Sequence, residues 1–136
     1  MDSDLTVRPL REDDLPQAWR LGALAFGADP DATPPPHARA GVAWMSRVGA
    51  FDRRGVLVGC ARVLHDGQWW QGRPVPAADV AGVAVAPEAR GRGVARRMLG
   101  ALLAEARERG AAVSTLFPTV AAPYRRAGWE ICGTLR

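Results

Sequence analysis

The chain has 136 residues, 48% of them hydrophobic and 24% charged, with a formal net charge of +4. One globular domain over residues 1–136 with a real core is the expectation. No run approaches the ~18 apolar residues of a membrane helix. The start, Met1-Asp2-Ser3-Asp4, is acidic where a secretory signal is basic and then apolar, so a cytoplasmic location is expected.

In chain order, Thr6 to Leu10 alternates like a strand and runs into the acidic cluster Glu12-Asp13-Asp14. Asp13 or Asp14 suits a helix cap and Pro16 a first turn. Leu15, Ala18, Trp19, Leu21, Ala23 and Phe26 then recur at helical spacing until Gly27. After a loop rich in Asp and Pro, a second helix is predicted over 37–48. The period then changes: 56–64 reads as a strand, Asp66-Gly67 as a hairpin turn, and Gln68-Trp69-Trp70 as the start of the return. Residues 80–86 are nearly all apolar, as a strand buried on both faces is, and Gly82 within them points to a bulge or a close backbone approach. An amphipathic helix from Val94 has Ala95, Met98, Leu99, Leu102, Leu103 and Ala106 on its inner face, and Gly110 stops it. A strand over 113–117 ends at Pro118, a short helix covers 121–127, and a last strand covers 129–135. The order β-α-α-β-β-β-α-β-α-β predicts a mixed α/β architecture, a twisted sheet flanked by helices.

Charge is unevenly divided. Residues 1–68 hold eight arginines against nine acids, whereas residues 69–136 hold ten against five. Lysine does not occur. The basic half suits a polyanion or a phosphorylated cofactor, or is a solvated face. Cys60, Cys132, His37 and His65 match no metal-ligand or paired-cysteine spacing, so no metal is expected and both thiols read as free and buried.

The segment with the most chemistry is the turn and glycine loop between residues 86 and 94. A P-loop needs the lysine that this chain lacks, and a GxGxxG fingerprint fails at Arg96. Arg90-Gly91-Arg92-Gly93-Val94-Ala95 instead fits [QR]-x-x-G-x-[GA]. Its small residues let backbone N–H groups at a helix start converge on a pyrophosphate, with Arg92, Arg96 and Arg97 nearby. A tight turn bearing solvated arginines reads the same residues without a ligand.

On this loop, the block QWWQGRPVPAADVAGVAVAPEARGRGVARRML and the later AAPYRRAGW, the chain resembles the GCN5-related N-acetyltransferase (GNAT) superfamily, and within it the enhanced intracellular survival branch. The resemblance implies acetyl-CoA as cosubstrate, held by Arg90, Gly91, Arg92, Gly93, Val94, Ala95 and Arg96. It implies that two strands splay apart so that the pantetheine arm lies along backbone near Val83 and Val85. Tyr124, the single tyrosine, occupies the place of the general acid, and Asp79 is a candidate base. Aromatic packing for Tyr124 and a turn role for Asp79 are the alternatives. For the acceptor, a small-molecule or peptide amine of cationic character, Asp29 and Asp31 supply attraction and Trp44 a wall or a stacking face. In the resembled branch the base is a terminal carboxylate in a further domain, and the sheet closes with a strand for which residues run out after 135. A fragment, or a short form that self-associates through an incomplete sheet, is therefore expected. A catalytically silent CoA-binding domain is the rival reading. Nucleic-acid binding ranks lower, because no recognition-helix or zinc-finger pattern accompanies the arginines, and no membrane partner is expected.

Overall fold

The structure is a computed structural model and describes residues 4–39 and 41–134. Met1, Asp2 and Ser3 of the acidic start, Ala40 of the predicted second helix and Leu135 of the predicted last strand lie outside the described residues. Five strands form one mixed sheet in the order β1-β2-β3-β4-β5: Thr6–Pro9, Met45–Phe51, Leu57–Trp70, Arg73–Val85 and Val113–Thr115. The first three pairings are antiparallel and β4–β5 is parallel. Helices α1 (Leu15–Phe26), α2 (Pro36–Arg39), α3 (Val94–Glu108) and α4 (Ala122–Arg126) flank it. The mixed α/β class follows from the sequence pattern, but several elements do not.

Residues 37–48 do not form a long helix. A single turn, α2, is followed by the interior strand β2, which pairs with β1 on one side and β3 on the other. Tertiary pairing decides this segment: β2 has a ladder on both sides, and Val48, Ala50 and Phe51 within it are buried. The hairpin turn is also displaced. β3 runs straight through Asp66-Gly67, which pair with Ala77 and Pro76, and the chain reverses at Gln71-Gly72. Both turn residues have positive φ, 48° and 82°, as a two-residue hairpin turn requires. The long β3–β4 ladder outweighs the local Asp-Gly preference. Residues 129–134 form no strand among the described residues; alternation alone does not make one without a ladder partner. Asp14 stands at the start of α1 but does not cap it, because its carboxylate accepts from the Arg11 N–H at 2.7 Å and from Arg8.

α3 packs across one face of the sheet. Met98 and Leu99 are wholly buried, and Val94, Leu102 and Ala106 nearly so, against Val48, Ala50, Val63, Ala78 and Val80. Gly59 lies beneath α3, where a Cβ would stand 2.7 Å from Val94 Cγ1 and 2.9 Å from Met98 Cε. This close fit sets the first turn of α3 directly against β3. α1 covers the other face, with Ala18 and Leu21 near Phe51, Leu57, Cys60 and Ala84. Among the described residues, no helix is long and apolar enough to cross a membrane.

Candidate functional site

The glycine loop joins the end of β4 to α3. A 3-10 turn (Pro87–Ala89) follows Ala86, and Gly91 and Gly93 both take left-handed φ, 74° and 76°. A Cβ at either would meet nothing within 4 Å, so the requirement for glycine there is one of backbone conformation, not of space. The Arg90 Nε donates to the Val85 carbonyl at 3.3 Å and ties the loop to its strand. Arg97 N–H to Gly93 C=O, at 3.1 Å, is the first helical bond, so the N–H groups of Val94, Ala95 and Arg96 precede the ladder. Gly93 at the N-cap supplies no side chain to receive them, and the first turn contains no acid. Arg92 and Arg96 are exposed beside this end. The 15-residue helix adds its dipole. This donor set, at an uncapped N-terminus flanked by arginines, fits a pyrophosphate.

β4 and β5 pair only from Ala77↔Val113 to Asp79↔Thr115. Beyond Asp79 the strands part, and among the described residues β4 has no ladder on that side through Val83 and Val85, both half-buried. Opposite, β3 pairs Cys60 with Ala84 but Arg62 with Ala81, so Ala61 faces both Gly82 and Val83. This is a bulge, with Gly82 at φ 59°. A Cβ on Gly82 would also stand 3.3 Å from the Arg62 guanidinium carbon. The bulge and the close approach predicted for Gly82 thus occur together.

Asp79 sits where the strands part. It accepts from the Thr115 hydroxyl in a short contact and from Gln68 Nε2 at 3.3 and 3.4 Å. Thr115 also lines a small cleft of about 100 Å³ with Ser114, Pro118 and Tyr124. Tyr124, on α4, is half-buried and meets Trp129 edge to face, with ring centroids 6.1 Å apart. Burial pushes its phenol above the usual value, so it carries its proton at neutral pH. Both packing and a cleft-lining position are therefore realised for Tyr124, and Thr115 connects its cleft to Asp79.

On the α1 face a larger cavity, of about 300 Å³, opens between α1, α2, β2 and β3 and reaches Gly82. Leu10, Leu15 and Phe26 are among its apolar walls, and Trp19, His37, Arg47 and Arg62 are among its polar residues. Asp29, Asp31 and Trp44 do not line it. Asp31 pairs with Arg20 at 2.5 Å, and Asp29 accepts from the Asp31 N–H at 2.9 Å. Trp44 is 51% exposed, and its carbonyl accepts from His65 N–H. Arg47 and Arg62 escaped sequence reasoning. The signal for Arg62 was present, a lone charge within the apolar run VLVGCARVL, but Arg47 lay in a segment read as helix. Cys60, also lining the cavity, is a buried thiol pushed up to about 11 by desolvation, whereas Cys132 is exposed rather than buried.

Residues 6–132 match the family described as Acetyltransferase (GNAT) domain. No curated protein matches. Among solved structures, a GCN5-related N-acetyltransferase from Kribbella flavida superposes with a TM-score of 0.80 at 33% identity, over 90% of this chain and 32% of that one. Another, from Anabaena variabilis, gives 0.76 and 26%, over 91% and 31%. The chain thus spans about a third of the length of these two relatives. AAC(6')-Iy, solved with the bisubstrate analogue CoA-S-monomethyl-acetylneamine, shares the fold with a TM-score of 0.79 at 18% identity, over 98% and 96%.

Proposed function

The chain belongs to the acetyltransferase (GNAT) domain family, and from that premise we propose that it transfers the acetyl group of acetyl-CoA to a primary amine by direct attack. One observation carries the reading. The uncapped N-terminus of α3 adjoins a β4 edge that β5 leaves after Asp79, so a phosphate cradle and an open backbone edge are continuous. Residues 90–96 hold the pyrophosphate, and backbone at Val83 and Val85 holds the pantetheine arm. Acetyl-CoA supplies an activated thioester.

The remaining chemistry is proton movement. An alkylamine of pKa ~10.4 must lose a proton before its lone pair can attack the carbonyl carbon. The C–S bond then breaks, the departing thiolate takes a proton from Tyr124, whose half-buried phenol holds it until then, and the phenolate is restored by the extra proton that the new amide nitrogen sheds. Such a proton transfer is worth about 10²–10⁴ in rate. Asp79 is the candidate base. Its oxygens already accept from Thr115 and Gln68, an arrangement that also favours the silent CoA-binding reading or a positioning role. Of the acceptor-side acids, Asp29 follows the cavity-lining Ala28 and is the better placed to attract a cationic amine at the mouth, since Asp31 is held by Arg20 and Trp44 stands on the surface.

The block from Gln68 to Leu99 supports the enhanced intracellular survival branch, and a single cytoplasmic acetyltransferase unit is the simplest form of the proposal. Self-association is part of it, supported by the exposed Trp69 and Trp70 at the hairpin tip and by Phe117 beyond β5; sedimentation against concentration tests it.

Calorimetric titration with acetyl-CoA tests the cofactor site: saturable binding is expected, lost in Gly93→Glu. Tyr124→Phe is expected to lower kcat about 10²–10⁴-fold in a thiol-release assay. Binding of acetyl-CoA with turnover indifferent to Tyr124→Phe would favour the silent domain. Strong, salt-sensitive binding to duplex DNA would favour the nucleic-acid reading.

A further inference from the structure

The two oxygens of Asp79 are held unequally. Oδ1 accepts the Thr115 hydroxyl in the short contact and Gln68 Nε2 at 3.3 Å, whereas Oδ2 meets only Gln68, at 3.4 Å, among the described residues. Each carboxylate oxygen offers about two lone-pair sites, so Oδ1 is filled and Oδ2 keeps room for a further proton. The Thr115 hydroxyl has a single proton and gives it to Oδ1, and its oxygen in turn accepts from Gln68 Nε2 at 3.5 Å. Asp79 and Thr115 are also the last register pair of β4 and β5, so this network stands where the strands part. The strands do not need the Thr115 bond to stay together. Backbone pairing from Ala77 to Asp79 joins them, and Ser114 Oγ donates to the Ala78 carbonyl at 2.7 Å. Ser114 thus gives its hydroxyl proton to the backbone, and its neighbour Thr115 gives its own to a carboxylate.

Resting on the acetyltransferase reading, we propose that Thr115 is a positioning residue that pins Oδ1 of Asp79 and so presents Oδ2 as the atom that takes the acceptor's proton. In that step an N–H bond of the ammonium group breaks, its electron pair stays on nitrogen, and an Oδ2–H bond forms. The nitrogen then attacks the thioester carbon. An aspartate turns easily about χ2, whose preferences are broad. Misplacing a reacting group by about 1 Å costs up to about 10²-fold in rate. Thr115 on β5 and Gln68 on β3 remove that freedom from the two strands that flank β4. Thr115 lines the Tyr124 cleft as well, so the group that takes a proton and the group that gives one share a single neighbour.

The test is a double-mutant cycle. Initial rates are measured with acetyl-CoA and, in turn, phenethylamine, spermidine and n-butylamine, from pH 7 to 9.5. Thr115→Val, which keeps the shape and removes the hydroxyl, is expected to lower kcat about 10- to 100-fold at pH 7. The KM for acetyl-CoA should stay within about 2-fold, and Thr115→Ser should recover most of kcat. The deficit should shrink as pH nears the alkylamine pKa of ~10.4, because free amine needs no base. In an Asp79→Asn background, Thr115→Val should change kcat by less than about 2-fold, since the hydroxyl acts only through the carboxylate. Thermal midpoints matching the parent establish folding, and Thr115→Ala carries the same test where Thr115→Val melts early. Unchanged kcat in Thr115→Val, full activity in Asp79→Asn, losses that multiply in the double variant, or no recovery in Thr115→Ser overturns the proposal. Acetyl-CoA calorimetry and parent turnover separate the two readings. A parent that acetylates an amine while Thr115→Val matches it keeps the acetyltransferase reading and loses the positioning role. A parent that binds acetyl-CoA and acetylates none of the three amines overturns both.

Discussion

The two faces of the sheet are built to different rules. Under α3 the packing is dry and closed: Met98 and Leu99 are fully buried, Leu102 is 1% exposed, and Gly59 yields its side-chain space so that the helix can settle on β3. Under α1 the same strands leave a cavity of about 300 Å³ lined in part by a pair of opposed arginines. Folding alone favours the first arrangement and penalises the second. The open face is where the molecule gives up packing stability, and functional sites are where such local rules are broken. The closed face has its own role, since it holds the first turn of α3, and with it the glycine loop, at a fixed place beside β4.

Three experiments break or sharpen this contrast. The largest effect is expected from Leu99→Ala on the closed face, a loss of about 2–5 kcal/mol in denaturant unfolding. Phe26→Ala on the open face is expected to cost within about 0.5 kcal/mol, because that ring is already 59% exposed. Equal losses would mean that the open face is as tightly packed as the other. An effect of opposite sign, smaller than that of Leu99→Ala, is expected from Arg62→Gln. Removing one member of a like-charge cross-strand pair should raise stability by about 0.2–1 kcal/mol in denaturant unfolding. A loss of stability would show that Arg62 serves the fold.

The smallest effect is a pH dependence on the closed face. Ser46 Oγ lies 2.7 Å from His65 Nε2 and donates to Glu105 of α3 at 2.5 Å. Burial first, and Arg109 second, hold the His65 pKa below its ordinary value, with Glu105 opposing. A histidine whose folded pKa is lowered takes up its proton more readily when unfolded. Its contribution is therefore present above about pH 6.5 and lost as pH falls through the lower, folded value. Thermal midpoints measured from pH 7.5 to 5 should decline less steeply in His65→Gln than in the parent chain. An equal slope in both would assign the decline to other groups.

How much could be read from the residues followed from how local each feature was. Val94 to Ala106 announces its helix through its own spacing, and Arg90 to Ala95 announces a tight glycine turn into it, because a left-handed glycine before a helix start is a property of a few neighbouring bonds. Gly82 signalled its bulge for the same reason. β2 was hidden because its ladders are made with β1 and β3, whose pairing residues lie elsewhere in the chain and leave no mark on the local pattern of 45–51. The turn moved from Asp66-Gly67 to Gln71-Gly72 because a local preference worth a fraction of a ladder yields to the ladder itself.

The candidate site divides along the same line. The short-range pattern of the chain alone determined the α/β class and the glycine loop before α3, and the resemblance of its motifs to the GNAT superfamily singled out Tyr124 and Asp79 as groups to watch. Only the tertiary structure decided that β4 parts from β5 just after Asp79, that Thr115 stands between Asp79 and the Tyr124 cleft, and that Arg47 faces Arg62. The physical reason is register. Which residues of two strands stand opposite each other depends on pairing across long stretches of chain, and a shift of one position would turn every side chain to the other face.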